Sequence, residues 1–246
     1  SMLLTEGVYG QVTASRLAGN ELPLVDGMVN LLVVDAAQGI ARPEMLRVLA
    51  PQGVLMTRNQ AGWARHQKPR PGDIDDWTHY LHDSSGNAVA HDRQVGPPRH
   101  MQWVGSPRWS RHHDRMASLS AMVSGGGRLF YIMDEGSRVS IQLPPDWKLV
   151  ARDAFNGTIL WKQPLSNWHS HLWPLKSGPT QLARRLVTDG RWIYVTLGLK
   201  APLTVLDAAT GERQHDLAGS VGTEEILVNT GTVFAMVNDG DSALVK

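Results

Sequence analysis

One turn, written twice, constrains this chain more than any other feature. Ala151-Arg152-Asp153-Ala154-Phe155-Asn156-Gly157-Thr158-Ile159-Leu160-Trp161 is echoed by Val205-Leu206-Asp207-Ala208-Ala209-Thr210-Gly211-Glu212-Arg213-Gln214-His215, and Asp153 lies 54 residues before Asp207. Both copies place an Asp, then Asn or Thr, then Gly after an apolar stretch. This is hairpin chemistry: the carboxylate caps backbone N–H groups of the turn, and Gly takes the position with positive φ. A strand pair precedes each copy. Gly125-Gly126-Gly127 leads into Arg128–Met133, and Thr188-Asp189-Gly190 leads into Arg191–Thr196. A third copy opens at Leu227-Val228-Asn229-Thr230-Gly231 and runs into Thr232–Val237. A recurring unit of this length excludes a fold built on one continuous pattern and predicts a row of similar antiparallel sheets.

The spacing is close to that of propeller blades, which repeat every 40–50 residues or so. The motif resembles the tryptophan-docking sequence of quinoprotein propellers, A-x-D-x-x-T-G-K-x-x-W. Ala151, Asp153, Gly157 and Trp161 match in the first copy, and Asp207, Thr210 and Gly211 in the second. Asn156 stands for Thr and Thr158 for Lys, while Val205 replaces Ala and His215 replaces Trp. Trp161, four places after the glycine, falls on the next strand, where it can stack on a neighbouring blade. The motif is structural and argues for a fold rather than for a chemistry.

The first sixty residues have a different pattern. A short strand is expected within Val8–Leu17. Val29-Asn30-Leu31-Leu32-Val33-Val34 is a continuous apolar run bounded by turns, which predicts a strand buried on both faces. Pro43–Leu49 reads as a short helix with Pro in its first turn, and Val54–Thr57 as the next strand. That order predicts a parallel β-α-β crossover. Leu22-Pro23-Leu24-Val25-Asp26, Asn30–Val34 and Arg47-Val48-Leu49-Ala50-Pro51-Gln52-Gly53 resemble the second half of class I SAM-dependent methyltransferases, with Asn30 where Asp is usual and Gln52 where Gly is usual. The glycine-rich loop and the ribose-binding acid belong to the first half of that fold and are not in this sequence, so the segment is not expected to bind SAM alone.

Arg65–Pro71 is basic and proline-rich and reads as a linker, outside any helix or central strand. Asp75–Asp83, the polar turn Ser84–Asn87 and the stretch Met101-Gln102-Trp103-Val104 resemble the lead-in segment of quinoprotein propellers, in which a strand ends in Trp and the segment pairs with the last blade. Both halves together resemble large bacterial proteins that join a methyltransferase-like segment to a quinoprotein (PQQ)-like propeller. The expected fold class is mainly β: a partial propeller of about two to three blades, preceded by a small α/β piece resembling the C-terminal half of a Rossmann-like methyltransferase. The expected divisions are residues 1–60, a linker at 61–75, and propeller repeats at 76–246. The chain is read as a fragment of such a protein.

Composition closes off several chemistries. Cysteine is absent, which excludes disulfides, thiolate metal sites and cysteine nucleophiles. A formal net charge of +1 gives no field that would recruit nucleic acid. No apolar run is long enough to cross a membrane as a helix. The amino end has neither a basic region nor an apolar core of signal-peptide type, and a periplasmic or extracellular parent is an expectation carried by the resemblance alone.

The candidate site residues are polar and aromatic clusters. Among the ten histidines, His79 and His82 would share a face of a helical turn, His169 and His171 a face of a strand, and His112 lies beside His113. Any of these pairs could hold a metal with a nearby Asp83 or Asp114. The alternative is that they are loop and surface histidines bonded to backbone. Arg108, Arg111 and Arg115 could bind a carboxylate or phosphate, or belong to a solvated connector. Trp168 and Trp173, beside two histidines, could floor a sugar or quinone site, or pack a long loop. No catalytic residue is assigned.

Three functions follow. The first is a non-catalytic propeller segment for binding or assembly, favoured because it asks nothing of absent residues. The second is part of a PQQ-dependent-type oxidoreductase acting on alcohols or sugars, and the third is a remnant of a SAM-dependent methyltransferase. PQQ or SAM is expected only in a complete parent protein. The expected partners are the remaining blades, a small-molecule or protein ligand, and further copies of the chain associating through exposed blade edges. Nucleic acid is not among them.

Overall fold

A computed structural model describes residues 5–7, 12–35, 39–94, 96–97, 101–111, 117–140, 142–169 and 180–238. The chain divides into two compact units, Ser1–Arg70 and Pro71–Lys246.

Among the described residues, the first unit is a three-stranded sheet with one helix of more than one turn. β1 (Val29–Val34) lies parallel to β2 (Leu49–Asn59), and α1 (Arg42–Val48) makes the crossover between them. β3 (Gly62–Gln67) returns antiparallel along β2, giving the order β1-β2-β3. Pro43 occupies the first turn of α1, where its missing N–H costs no helical hydrogen bond. Met45, Leu49 and Leu55 form the core, with Val29, Leu32, Val34, Ile40 and Leu46 packed against it. Two expectations are corrected. β1 is covered on one face only: Leu31 and Val33 are 58% and 55% exposed. Residues 62–67, part of the expected linker, form the edge strand β3. The strand expected within 8–17 is not seen at 13–17, and residues 8–11 lie outside the described residues.

The second unit is built of antiparallel sheets. β4 (Leu119–Gly125), β5 (Arg128–Asp134), β6 (Trp147–Asp153) and β7 (Ile159–Pro164) form a four-stranded meander. A 3₁₀ helix, Thr180–Arg185, leads into β8 (Leu186–Thr188), β9 (Trp192–Thr196), β10 (Leu203–Asp207) and β11 (Arg213–Asp216), a second meander. β12 (Thr223–Asn229) and β13 (Thr232–Val237) form a hairpin. The sheets stack face to face. Phe130, Ile132, Leu149 and Ala151 of the first meet Leu186, Ile193, Val195 and Leu206 of the second. Tyr194, Leu203 and Val205 of the second meet Ile226 and Val228 of the hairpin. Alternation along β9 and β10 supplies apolar residues to both faces, which a sheet between two neighbours requires.

The repeated turn joins these sheets. Asp153 Oδ1 accepts the N–H groups of Phe155 (2.9 Å) and Asn156 (3.0 Å), and Asp207 Oδ1 those of Ala209 (2.8 Å) and Thr210 (2.9 Å). Gly157 and Gly211 follow with φ of 72° and 75°. Trp161 lies flat over Gly211, where a Cβ would stand 2.6 Å from the indole, and its Nε1 donates to the Ala208 carbonyl at 3.2 Å. Trp103 lies over Gly157 in the same manner, leaving no room for a Cβ beneath its ring. The stretch around Trp103 is not a strand, contrary to expectation. Its indole nonetheless occupies on the first sheet the place Trp161 occupies on the second.

Candidate functional site

The first strands of the successive sheets, β4, β8 and β12, run beside one another, and a single segment of chain crosses their ends. Ser124 N–H donates to the Trp77 carbonyl at 2.7 Å, and Trp77 N–H donates to Ser124 Oγ at 2.9 Å. Thr188 N–H donates to the Thr78 carbonyl at 3.0 Å. Val228 N–H donates to His79 Nε2 at 3.0 Å. Three consecutive residues thus satisfy one backbone donor on each of three sheets, donors that would otherwise be buried and unpaired. In the propellers that the sequence resembles, such a segment pairs with a last blade, which was not expected in this chain; here it runs across the ends of β4, β8 and β12.

The chemistry of His79 follows from that bond. Its Nε2 accepts, so a neutral ring carries its proton on Nδ1, which lies 2.8 Å from Thr78 Oγ1. Burial pushes the pKa of His79 below that of an ordinary imidazole; Asp83 opposes the shift, and His82 adds to it.

His79 and His82 were expected on one face of a helical turn. The segment is instead a tight reversal. Thr78 N–H and His79 N–H both donate to the His82 carbonyl, at 2.7 and 3.1 Å, and His82 has φ of 71°. The two rings therefore serve different partners. His82, 3% exposed, places Nε2 2.8 Å from Asp75 Oδ2. Its Nδ1 is buried without a hydrogen-bond partner, 3.4 Å from Asp83 Oδ2. His91 completes the group: its N–H donates to Asp75 Oδ2 at 2.6 Å, and its Nδ1 lies 3.9 Å from the same oxygen. The ligand-type atoms of Asp75, His82 and His91 all lie within 4.8 Å of one another. The Asp75 carboxyl is held below the usual carboxylate range, first by the His91 N–H and then by His82 and the Asp76 N–H.

The other sequence candidates are scattered. Arg111 is buried: it pairs with Asp134 at 2.8 Å and donates to the carbonyls of Ser137, Ser140, Leu143 and Pro144, so its guanidinium holds the loop after β5. Arg108 is exposed, stacked 5.3 Å above the Trp109 ring. Trp168 is 1% exposed in the core between the first two sheets and donates Nε1 to Ser120 Oγ at 2.8 Å. His169 packs against Trp147 at 4.4 Å between ring centroids, and its carbonyl accepts Trp147 Nε1. His112, His113, Arg115, His171 and Trp173 lie outside the described residues. Sequence reasoning passed over Asp75 and His91 as ligands. They stand seven residues before and nine after His82, a spacing with no helix or strand period, and only loop closure brings them together.

Sequence reasoning also missed Arg152, 4% exposed. It donates to Tyr131 Oη (2.6 Å) and to the carbonyls of Gly157 (2.6 Å) and Ser106, and its guanidinium lies 5.9 Å from the Trp103 ring centroid.

Stacked antiparallel meanders, joined by an indole over the glycine of an Asp-x-x-x-Gly turn, define a β-propeller of PQQ-like repeats. The chain belongs to the PQQ-like repeat family described as outer membrane protein assembly factor BamB, whose profile matches residues 12–217. No curated protein matches the chain. Among the described residues, no helix is long and apolar enough to cross a membrane.

Proposed function

We propose that this chain is a non-catalytic binding or scaffold segment of a β-propeller. One observation carries the reading. Among the described residues, the groups best suited by type to hold a small substrate, Arg111, Trp168, His79 and Arg152, are buried and bonded to the chain itself. The family's description as an assembly factor supports a role in assembly over one in turnover.

The partner surface in this reading is the part of the first sheet's outer face that Trp103 and Arg152 leave open. Leu119 and Met122 are 41% and 48% exposed there, beside Trp103 docked on Gly157. The occupant is a further blade of the same repeat, supplied by the parent chain or by a second copy. The α/β unit is read as a remnant of a methyltransferase second half, which its β1-α1-β2 crossover supports.

The test is a thermal melt with PQQ and Ca²⁺, and separately with SAM, alongside dye-linked oxidation of alcohols and glucose. No ligand shifts the midpoint and no dye is reduced. A saturable shift with PQQ, accompanied by dye reduction, overturns the scaffold reading in favour of an oxidoreductase; a shift with SAM restores the methyltransferase. Association rising with concentration, and abolished by Met122→Lys, is expected by light scattering. A strict monomer removes the second-copy partner.

A further inference from the structure

We propose that Asp75, His82 and His91 form a Zn²⁺ site at the neck of the loop that crosses the three inner strands. The loop closes where Arg93 N–H donates to the Asp73 carbonyl at 3.0 Å and Gln94 Nε2 donates to Asp73 Oδ2 at 3.0 Å. Asp75 and His91 sit just inside this closure, His82 reaches Asp75 from the middle of the loop, and residues 77–79 form the part that reaches Ser124, Thr188 and Val228. A cation there staples the loop that ties the sheets together.

The donor set suits the ion. Two imidazoles and one carboxylate are borderline ligands that favour Zn²⁺ over Ca²⁺ or Mg²⁺, which prefer all-oxygen shells. Tetrahedral zinc with bonds near 2.0–2.1 Å separates its ligand atoms by about 3.3 Å. The observed separations are 2.8 Å for His82 Nε2 to Asp75 Oδ2 and 3.9 Å for His91 Nδ1 to Asp75 Oδ2. Rotation of the His91 ring, whose side chain is 73% exposed, adjusts the remaining distances.

The second observation is the buried Nδ1 of His82. While Nε2–H bonds to Asp75, the neutral ring leaves Nδ1 as a bare lone pair, sealed from solvent and facing the Asp83 carboxylate at 3.4 Å. That arrangement is unfavourable. A cation on Nε2 reverses it: the ring proton moves to Nδ1 and points at Asp83 Oδ2. A carboxylate behind a metal-bound histidine is the usual outer-shell partner of such a ligand. The orphan nitrogen and the three converging ligands are thus explained by one ion.

The experiment is Zn²⁺ binding by competition with a chromophoric chelator on the whole chain, repeated with Co²⁺ for its absorption bands. One tight site is expected, with a melting midpoint raised by Zn²⁺ and lowered by a chelator. His91→Ala changes an exposed side chain and leaves the fold intact by circular dichroism; it weakens binding at least tenfold or so. Asp75→Asn weakens binding similarly, and Asp83→Asn, which leaves all three ligands in place, by about tenfold. His215→Ala, an exposed control on β11, changes nothing. Absence of binding, or a tight site that none of the first three variants alters, overturns the proposal.

Discussion

The sheet of the first unit and the first sheet of the second cover an apolar strand in different ways. β1 carries Leu32 and Val34 toward α1 and leaves Leu31 and Val33 more than half exposed. β5 carries Phe130 and Ile132, both 0% exposed, toward the next sheet. Its Tyr131, 7% exposed, faces the other way, where Arg152 bonds its hydroxyl and Trp103 stacks nearby. Among the described residues, the sheet of the first unit thus gains its core from one helix, and the β4–β7 sheet from the neighbouring meander on one face, with Trp103 and Arg152 covering part of the other. Stability in the propeller unit therefore lies in contacts between sheets, as in other repeat architectures, and in the α/β unit it lies in one helix-to-sheet layer.

The largest effect that tests this difference is truncation on either side of it. Phe130→Ala removes a ring between the first two sheets and costs about 3–5 kcal/mol. Leu31→Ala, on the open face of β1, costs within about 0.5 kcal/mol. Denaturant unfolding followed by circular dichroism reads both. Equal losses would mean that the face of β1 is covered in solution and that the two sheets do not differ.

The repeats were legible because their signal is local. An Asp, a Gly and the Trp four places on specify a turn wherever they occur, and the 54-residue interval fixes the sheet size. The parallel crossover of the first unit was legible for the same reason: helix and strand periods differ within a few residues. Burial was not. Val29–Val34 is as apolar as a strand with two neighbours, yet nothing in the run states how many layers will cover it. The site was the least legible part. Its ligands belong to a loop without period, and His79 matters because of one backbone N–H 149 residues away.

The middle effect lies at that long-range bond. His79→Ala leaves Val228 N–H buried without its acceptor, a loss of about 1–3 kcal/mol. It acts on the hairpin β12–β13, two sheets away in sequence from the loop that carries it. Amide exchange at Val228 is expected to quicken more than exchange at Ile132 in the first sheet. Equal acceleration at both would show that the loop holds the stack as a whole. No acceleration at either would mean that the crossing bonds add nothing to the sheet-to-sheet packing.

The smallest effect belongs to the surface of the α/β unit. Glu44, on α1, accepts the Leu22 N–H at 2.7 Å and pairs with Arg47 at 2.7 Å, and Arg47 in turn holds Asp26 and the carbonyls of Leu22 and Leu24. The network ties residues 22–26 to the helix. The Arg47 guanidinium, with help from the Leu22 N–H, lowers the Glu44 pKa to about 2. An unfolded Glu titrates near 4.3 or so, so the folded unit binds fewer protons between those values. Its contribution is present in full above the unfolded value and is lost as pH falls toward about 2. Glu44→Gln should lower stability slightly at neutral pH and flatten the acid limb, because the pair lies at the surface, only partly buried, where solvent screens it. A carboxyl resonance of Glu44 that titrates near 4 would detach residues 22–26 from the helix and leave the apolar layer of Met45, Leu49 and Leu55 to hold the unit.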